Sequence, residues 1–386
     1  MSLRANWNYP TSIRFGAGRI AELPDALKAV GIERPLFVTD PGVRGLPMVA
    51  SALAVLEAAG RPAAVFSDVQ GNPVDRNVEA GVAVYRAGGH DGVVAFGGGS
   101  ALDVGKVVAL MVGQTRPMWD FEDVGDWWTR ADPAGIASIV AVPTTAGTGS
   151  EVGRAGVITH STSHTKKVIF HPKLMPAVAI CDPELTVGLP RLLTAGTGMD
   201  ALAHCMEAYC APGYHPMAEG VAVEGMRLVK ENLGRVVADG SDIEARGHMM
   251  SAAAMGATAF QKGLGGVHAL SHPVGALYNT HHGMTNAVFM PYVLAFNEKA
   301  VADRMARLAG WLGLKKQNTA GVIDWVLRLR EEVGVPHTLA GLKVGGERIE
   351  EIAAAAEADP TAGGNPVKFD RVAARRVFEA ALEGRL

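Results

Sequence analysis

Residues 265–291, GGVHALSHPVGALYNTHHGMTNAVFMP, contain four of the twelve histidines of the chain: His268, His272, His281 and His282. His268 and His272 are four residues apart, so in a helix their side chains lie one above the other on the same face. Imidazole is the most common metal ligand among protein side chains. The spacing therefore indicates a helix face that can supply imidazoles to a metal ion.

A second pair with the same spacing lies upstream, in GMDALAHCMEAY, where Asp200 and His204 are four residues apart. The two pairs and His282, which we place in a loop, offer four imidazoles and one carboxylate, from which a site of three imidazoles and the carboxylate can be made. This set suits iron, zinc, nickel or cobalt better than calcium or magnesium. A single His-x-x-x-His pair is more often a surface or capped pair. The second pair favours a metal site, because Asp and His within an apolar helix need partners.

The bulk properties narrow the class of protein. A chain of 386 residues with 48% hydrophobic and 19% charged residues is expected to fold into two globular domains. A net charge of −3 argues against a nucleic-acid or membrane-surface partner. The three cysteines have no regular spacing. The N-terminal stretch MSLRANWNYP lacks the apolar segment of a signal peptide, and no run of 18 apolar residues follows it. We expect a reduced, cytoplasmic protein.

The first half of the chain alternates short apolar runs with helical patterns. Such runs are typical of parallel strands buried on both faces, and the alternation predicts a doubly wound α/β sheet. Two further runs, 157–160 and 167–170, predict an antiparallel hairpin. The predicted strands are 36–39, 63–66, 93–96, 139–142 and 178–181, with helices at 49–59, 74–87 and 101–111.

The second half has helical patterns and no convincing strand. We predict an α/β domain over residues 1–186 and an all-helical domain over residues 187–386, with the boundary near residues 183–190. Both proposed ligand pairs fall in the helical domain. The predicted helices are 192–210, 217–238, 243–261, 267–277, 300–312, 319–333, 349–358 and 371–382.

A glycine-rich segment, VVAFGGGSALDVGK at residues 93–106, runs from a predicted strand directly into a helix. Gly97, Gly98 and Gly99 allow a phosphate to approach the backbone, and the helix start at Ser100 supplies N–H donors and partial positive charge. Any strand-to-helix turn can be rich in glycine, but a triple glycine followed by serine is less common. The segment predicts a phosphate site, although it is not the G-x-G-x-x-G pattern.

Two other polar segments follow predicted strands. Asp40 is the last residue of LFVTD, at the end of a predicted strand. An acid at this position can accept hydrogen bonds from a ribose diol and would repel a 2′-phosphate. An Asp before Pro-Gly is also common in ordinary turns. The loop PTTAGTGSE, residues 143–151, follows another strand. Because ligands bind at the carboxyl ends of strands in open α/β sheets, this loop can line the same crevice.

Four of these segments, GGGSALDVGK, PTTAGTGSE, GMDALAHCMEAY and the histidine stretch, together closely resemble the iron-containing, or group III, alcohol dehydrogenases. The resemblance covers nearly the whole chain in order, and the histidine stretch is its most specific part. It implies a dehydroquinate synthase-like fold, with an N-terminal Rossmann-like domain, a C-terminal all-helical metal-binding domain, and the active site in the cleft between them.

The resemblance also implies roles for individual residues. A divalent ion, Fe(II) or Zn(II), is bound by Asp200, His204, His268 and His282, and His272 is the catalytic histidine that is not a ligand. The family has proline before its last ligand where this chain has His281, which leaves His281 and His282 as alternatives. NAD contacts are implied for Asp40, Asn72, Gly97, Gly98, Gly99, Ser100, Asp103, Thr144, Thr145, Thr148 and Lys166, with Lys167 the alternative to Lys166.

The implied activity is hydride transfer between NAD(H) and a small primary or secondary alcohol or aldehyde, with the metal polarising the substrate oxygen. The resemblance also implies a homo-oligomer, expected to be a dimer.

The alternative functions are a reductase like glycerol dehydrogenase or maleylacetate reductase, a lyase like dehydroquinate synthase, or a metal-binding protein without catalysis. The lyase needs a basic pocket, and we find no Lys/Arg cluster near the histidines. Maleylacetate reductases lack the ligand set, and the joint metal and nucleotide signals disfavour a protein without catalysis.

Overall fold

The computed structural model describes residues 11–163 and 165–386, and the backbone of residues 5–7. The N-terminal stretch MSLRANWNYP otherwise lies outside the described residues. The chain forms two compact units, Met1–Thr145 with Gly149–Gly188 and Ala146–Thr148 with Leu189–Leu386.

The first unit is built on a sheet with strand order β1-β2-β9-β6-β5-β3-β4, in which every neighbouring pair except β1 and β2 is parallel. A separate antiparallel hairpin, β7–β8, is the one predicted from the sequence. The strands are β1 Ala5–Trp7, β2 Ser12–Phe15, β3 Pro35–Val38, β4 Ala64–Phe66, β5 Gly92–Gly97, β6 Ser138–Pro143, β7 Ala155–His160, β8 Thr165–Phe170 and β9 Val178–Cys181.

Helices cover both faces of this sheet. Successive side chains of a strand point to opposite faces, so Leu36 and Val38 enter one hydrophobic core and Phe37 enters another. The predicted doubly wound parallel sheet is confirmed. The strands β1 and β2 and the first helix were not predicted. The helices of this unit are α1 Leu23–Ala29, α2 Pro41–Arg44, α3 Pro47–Ala58, α4 Asp75–Ala87 and α5 Gly99–Met111.

The second unit is helical, and its described residues contain no strand, as the sequence predicted. Proline or a side-chain cap begins several helices: His215 precedes Pro216, and Asp242 and Asn318 accept backbone N–H groups. The helices are α6 Arg191–Cys210, α7 Pro216–Ala238, α8 Ile243–Ala259, α9 Gly266–Tyr278, α10 His282–Trp311, α11 Thr319–Glu332, α12 Ile349–Ala358 and α13 Arg371–Glu383.

Helix α10 is longer than the sequence predicted. It begins at His282 and passes through Pro291, so the predictions of a loop at His282 and of a helix starting only at residue 300 were wrong. Proline inside a helix removes one N–H and leaves the carbonyl four residues earlier without its helical donor. Here Nη1 of the buried Arg330 donates to that carbonyl, of Ala287, at 3.4 Å and to the carbonyl of Val288 at 3.2 Å. The helix continues because α11 supplies the missing donor.

Replacement of Arg330 by methionine is expected to destabilise the fold by about 3 kcal/mol, since it leaves buried carbonyl groups without a donor. Adding Pro291→Ala should recover part of that loss, because residue 291 then donates to Ala287 within the helix. Urea unfolding measures both changes. Arg328→Met, an exposed arginine on the same helix, is the control and should change stability by less than about 0.5 kcal/mol. Equal losses for the two arginines would contradict this explanation of the helix.

Candidate functional site

Helix α6 carries the first proposed ligand pair on a buried face. Asp200 and His204 are 2% and 5% exposed. The start of α10 lies directly against this helix, because a Cβ on Gly283 would lie 2.1 Å from the carbonyl oxygen of Gly196. Only glycine at position 283 permits this approach. The contact places the adjacent His282 beside α6.

The acceptor atoms of four side chains converge. Oδ1 of Asp200 lies 3.7 Å from Nε2 of His204, 3.9 Å from Nε2 of His268 and 3.7 Å from Nε2 of His282. Four ligands at 2.0–2.2 Å around a tetrahedral ion are separated from one another by roughly 3.4 Å. The three separations from Asp200 are slightly longer than this, and Asp200, His204 and His268 offer ligand atoms that all lie within 4.8 Å of one another. The His282 side chain is 26% exposed, whereas those of Asp200 and His268 are 3% and 2% exposed, so one side of the cluster is open.

The hydrogen-bond donors and acceptors of this cluster are consistent with a cation-binding site. Nδ2 of Asn286 lies 2.6 Å from Asp200 Oδ1, 3.2 Å from His268 Nε2 and 3.1 Å from His282 Nε2. An amide nitrogen has two hydrogens, so it cannot donate to three acceptors at once. When the ring hydrogens of His268 and His282 are on Nδ1, their Nε2 lone pairs and the Asp200 oxygen exceed the donors available, and this mixed nitrogen and oxygen set is the ligand chemistry of Fe or Zn rather than of Ca or Mg.

Burial and nearby carboxylates shift the pKa values of His204 and His268 in opposite directions. Burial lowers the pKa of His204 to about 4, so this imidazole is neutral near pH 7 and its lone pair is available. Burial also lowers the pKa of His268, but the carboxylates of Glu207 and Asp200 outweigh it and leave that pKa above its usual value in the metal-free protein. Because a ligand must lose its proton before it binds a metal, acid should weaken binding at His268.

His272 and His281 have other contacts. Nδ1 of His272 lies 2.8 Å from Oδ2 of Asp359, and its ring stacks on that of His282 with centroids 5.5 Å apart. Nδ1 of His281 accepts the backbone N–H of Met284 and so caps α10. This geometry favours His282 over His281 as the ligand and leaves Nε2 of His272 available for proton transfer.

In the first unit, the glycine run occupies the carboxyl end of β5. Gly97 has a φ of 145°, and a Cβ there would lie 2.8 Å from the Cβ of Ala101, so glycine is required. Gly98 precedes the first residue of α5, Gly99, and Ser100 follows in the first turn. The backbone at this helix start can approach a phosphate closely.

Residues from two neighbouring strand ends meet the glycine run. The N–H of Thr144 donates to Gly97 at 2.9 Å, and a Cβ on Gly98 would lie 3.3 Å from Cγ2 of Thr145. Oδ2 of Asp40 lies 3.2 Å from the position a Gly97 Cβ would take. Oδ1 of Asp40 caps α2 by accepting two backbone N–H groups, so turn chemistry uses one oxygen of the carboxylate and the other faces the glycine run.

The remaining proposed cofactor residues are less clearly placed. The Asp103 carboxylate accepts hydrogen bonds from Ser150 Oγ at 2.5 Å and from the backbone N–H of Val157 at 3.0 Å. Nζ of Lys106 lies 3.3 Å from Oδ1 of Asp103. These contacts attach the loop at residue 150 and the hairpin to α5, which is a structural role. Thr148 belongs to the short segment Ala146–Thr148, which groups with the second unit. Asn72 has a left-handed backbone conformation, with a φ of 52°. Lys166 lies opposite Thr159 in the β7–β8 hairpin. Their cofactor contacts stay predictions.

Three residues near the histidines were not predicted from the sequence: Glu207, Asn286 and Asp359. Glu207 lies seven residues after Asp200, and Asn286 lies four residues after His282, so helical spacing held a signal for both. Asp359 is 87 residues from His272, and no local pattern connects the two.

Among the described residues, no helix has the length and apolar character that a membrane crossing requires.

Comparison with known proteins supports this chemistry. The model of the iron-containing alcohol dehydrogenase family matches residues 10–183, and the model of its C-terminal domain matches residues 194–382. The chain is 39% identical over 385 residues to a 4-hydroxybutyrate dehydrogenase of Cupriavidus necator, covering 97% of this chain and 99% of the relative. It is 36% identical to an NAD-dependent methanol dehydrogenase of Bacillus methanolicus, covering 94% and 95%.

A solved structure is similarly close. The crystal structure of a 1,3-propanediol oxidoreductase superimposes with a TM-score of 0.92 at 34% identity, covering 99% of this chain and 100% of that one. Both halves of the chain match one family, and the similarity to its members extends over nearly the full length. The chain therefore belongs to the iron-containing alcohol dehydrogenase family and is a metal-dependent, NAD-dependent alcohol or aldehyde oxidoreductase.

Proposed function

We propose that this protein transfers hydride between NAD(H) and a small primary or secondary alcohol or aldehyde at an Fe(II) or Zn(II) ion bound by Asp200, His204, His268 and His282. The observation that carries the proposal is the convergence of three Nε2 atoms on Asp200 Oδ1, at 3.7, 3.9 and 3.7 Å. The names of three relatives, which include methanol, 1,3-propanediol and 4-hydroxybutyrate, support an alcohol as the substrate class.

The ligand set keeps a catalytic ion accessible. A bound divalent ion supplies Lewis-acid polarisation of the substrate oxygen and makes its proton easier to remove. Buried Asp200, His204 and His268 hold one side of the site. The partly exposed His282 lies on the side from which a small molecule can approach, as a catalytic site with an open coordination position requires.

His272 is the proposed proton carrier. Asp359 accepts the hydrogen on Nδ1, so Nε2 of His272 is the nitrogen that can take and release a proton. Burial acts to raise the pKa of Asp359, but His272 and Thr361 together hold it below its usual value. Asp359 therefore remains a carboxylate and keeps the imidazole in one orientation.

Residues 1–186 are the proposed NAD-binding domain, and residues 187–386 are the proposed metal-binding and catalytic domain. The nicotinamide supplies the hydride chemistry. The glycine run, Thr144 and Thr145 are proposed to bind the diphosphate, and Asp40 to bind the adenosine ribose. The homo-oligomeric state, expected to be a dimer, and the cytoplasmic location stay predictions.

Asp40 is expected to make NAD strongly preferred to NADP, because its second carboxylate oxygen can bond the ribose diol and would repel a 2′-phosphate. Asp40→Gly should narrow the ratio of the kcat/KM values for the two cofactors by about tenfold or more, the effect of roughly 1.4 kcal/mol of charge repulsion. Asp40→Asn is the matched variant, since it removes the charge but keeps an oxygen that can cap α2. A higher kcat/KM with NADP than with NAD in the unmutated protein would refute this role.

A panel of small alcohols and aldehydes tests the function directly. The protein is assayed with NAD(H) after treatment with a chelator and again after reloading with Fe(II) or Zn(II). We expect net NADH formation from a short primary or secondary alcohol, lost on chelation and restored by one of the two ions. A lyase that uses NAD only transiently gives no net NADH. Absence of NADH with every alcohol in the panel would refute the proposal.

A further inference from the structure

Glu207 is a buried carboxylate that the proposed reaction does not itself require. It lies on α6, three residues after His204 and seven after Asp200, so it shares their face of the helix. Its side chain is 6% exposed. A carboxylate this deeply buried is costly unless hydrogen-bond donors surround it.

Helix α9 supplies these donors. Oε1 of Glu207 accepts the backbone N–H of Val267 at 2.7 Å, which lies in the first turn of that helix. This bond satisfies one of the N–H groups that a helix start leaves free, and it places negative charge at the positive end of the helix dipole. Oε2 of the same carboxylate is hydrogen-bonded to Nδ1 of His268. One side chain of α6 therefore binds both the start of α9 and its ligand histidine.

Gly265, before the start of α9, makes this approach possible. A Cβ there would lie 3.2 Å from Oε1 of Glu207 and 2.9 Å from Oδ1 of Asn365. A side chain at position 265 would therefore displace Glu207 from the start of α9. Gly266 serves a different contact, since a Cβ there would lie 2.7 Å from the Phe369 ring.

We propose that Glu207 is a positioning residue that selects the metal-binding form of His268. An ionised carboxylate only accepts hydrogen bonds, so Nδ1 of His268 must carry the hydrogen and Nε2 must carry the lone pair. Nε2 is the atom that faces Asp200, at 3.9 Å from its Oδ1. The inference rests on the proposed function, because it assumes that the cluster binds a metal ion.

Glu207→Gln separates the two roles of the side chain. The amide oxygen of the glutamine can still accept a hydrogen bond from the N–H of Val267. Its amide nitrogen, however, is a donor that faces Nδ1 of His268. It therefore favours the His268 tautomer with the hydrogen on Nε2, where that hydrogen blocks the metal. The metal-loaded protein is titrated with a chelator, and thermal unfolding is measured in excess chelator. We expect metal binding to weaken by about 10- to 100-fold, with an unfolding midpoint within a few degrees of the unmutated value.

Glu219→Gln is the control, because Glu219 lies in the same unit and bonds to Lys262 and Arg304 rather than to a proposed ligand. It should leave metal binding within twofold. Unchanged metal binding in Glu207→Gln, or a loss matched by an equal loss in Glu219→Gln, would overturn the role of Glu207. If the unmutated protein binds no metal, the proposed function fails instead.

The nitrogen signals of the His268 ring provide a test that does not depend on the variant folding. In the unmutated protein freed of metal, at a pH where the ring is neutral, ¹H–¹⁵N correlation should find the hydrogen on Nδ1, with His268→Asn used to assign the signals. A hydrogen on Nε2 would overturn the proposal.

Discussion

Asp200→Ala and His268→Ala are each expected to leave the protein folded but without its metal ion, and to lower kcat/KM by at least about 10³-fold. Each variant removes one of the four converging ligand atoms. Loss of the ion removes the Lewis acid that stabilises developing charge, an effect of several kcal/mol. Elemental analysis and circular dichroism of the same samples measure the metal content and the fold.

His248→Ala is the control for this prediction. His248 lies on α8 in the same unit, is partly exposed, and is not among the proposed ligands. This variant should retain its ion and its activity. Full metal content in Asp200→Ala or in His268→Ala would refute the ligand assignment, whatever the activity of that variant.

His272→Ala is expected to keep its metal ion but to lose kcat by about 10²- to 10⁴-fold, the usual contribution of a general acid or base. A fifth protein ligand would fill the position that a catalytic ion leaves open for substrate, so one of the two histidines on α9 must have another role. Metal content and pH–rate profiles measure the two effects separately.

Asp359→Asn extends the test of His272, because it keeps the shape of the side chain while removing the charge next to Nδ1. It should retain metal and show a smaller loss of kcat than His272→Ala, with a shifted pH–rate profile. If His272→Ala lost the ion and His268→Ala kept it, the roles of the two histidines would be reversed.

Much of the fold could be predicted from the sequence because its signals are local. Strands buried on both faces appear as short apolar runs, and β5 and β9 lie where such runs occur. Helix α10 was predicted only in part, since a proline inside a helical pattern, such as Pro291, usually ends or kinks the helix. The donor that compensates for it, Arg330, lies 43 residues from the carbonyl of Ala287, and no pattern around the proline reveals it.

The candidate site shows the same limit. The i,i+4 pairs of α6 and α9 predicted a cluster of Asp and His side chains because a helix fixes which side chains share a face. The sequence could not separate the roles of His268 and His272, since both lie on one face. Their carboxylate partners, Glu207 and Asp359, come from other elements of the fold. Tertiary packing, rather than local spacing, distinguishes the two histidines.

Anomalous X-ray scattering from crystals of the metal-loaded protein, recorded at the absorption edge of the metal, tests the central claim most directly. The account predicts one peak about 2.0–2.2 Å from a carboxylate oxygen of Asp200 and from Nε2 of His204, His268 and His282, with His272 outside bonding distance. No peak at this cluster, or a peak bonded to His272 in place of His268, would contradict it.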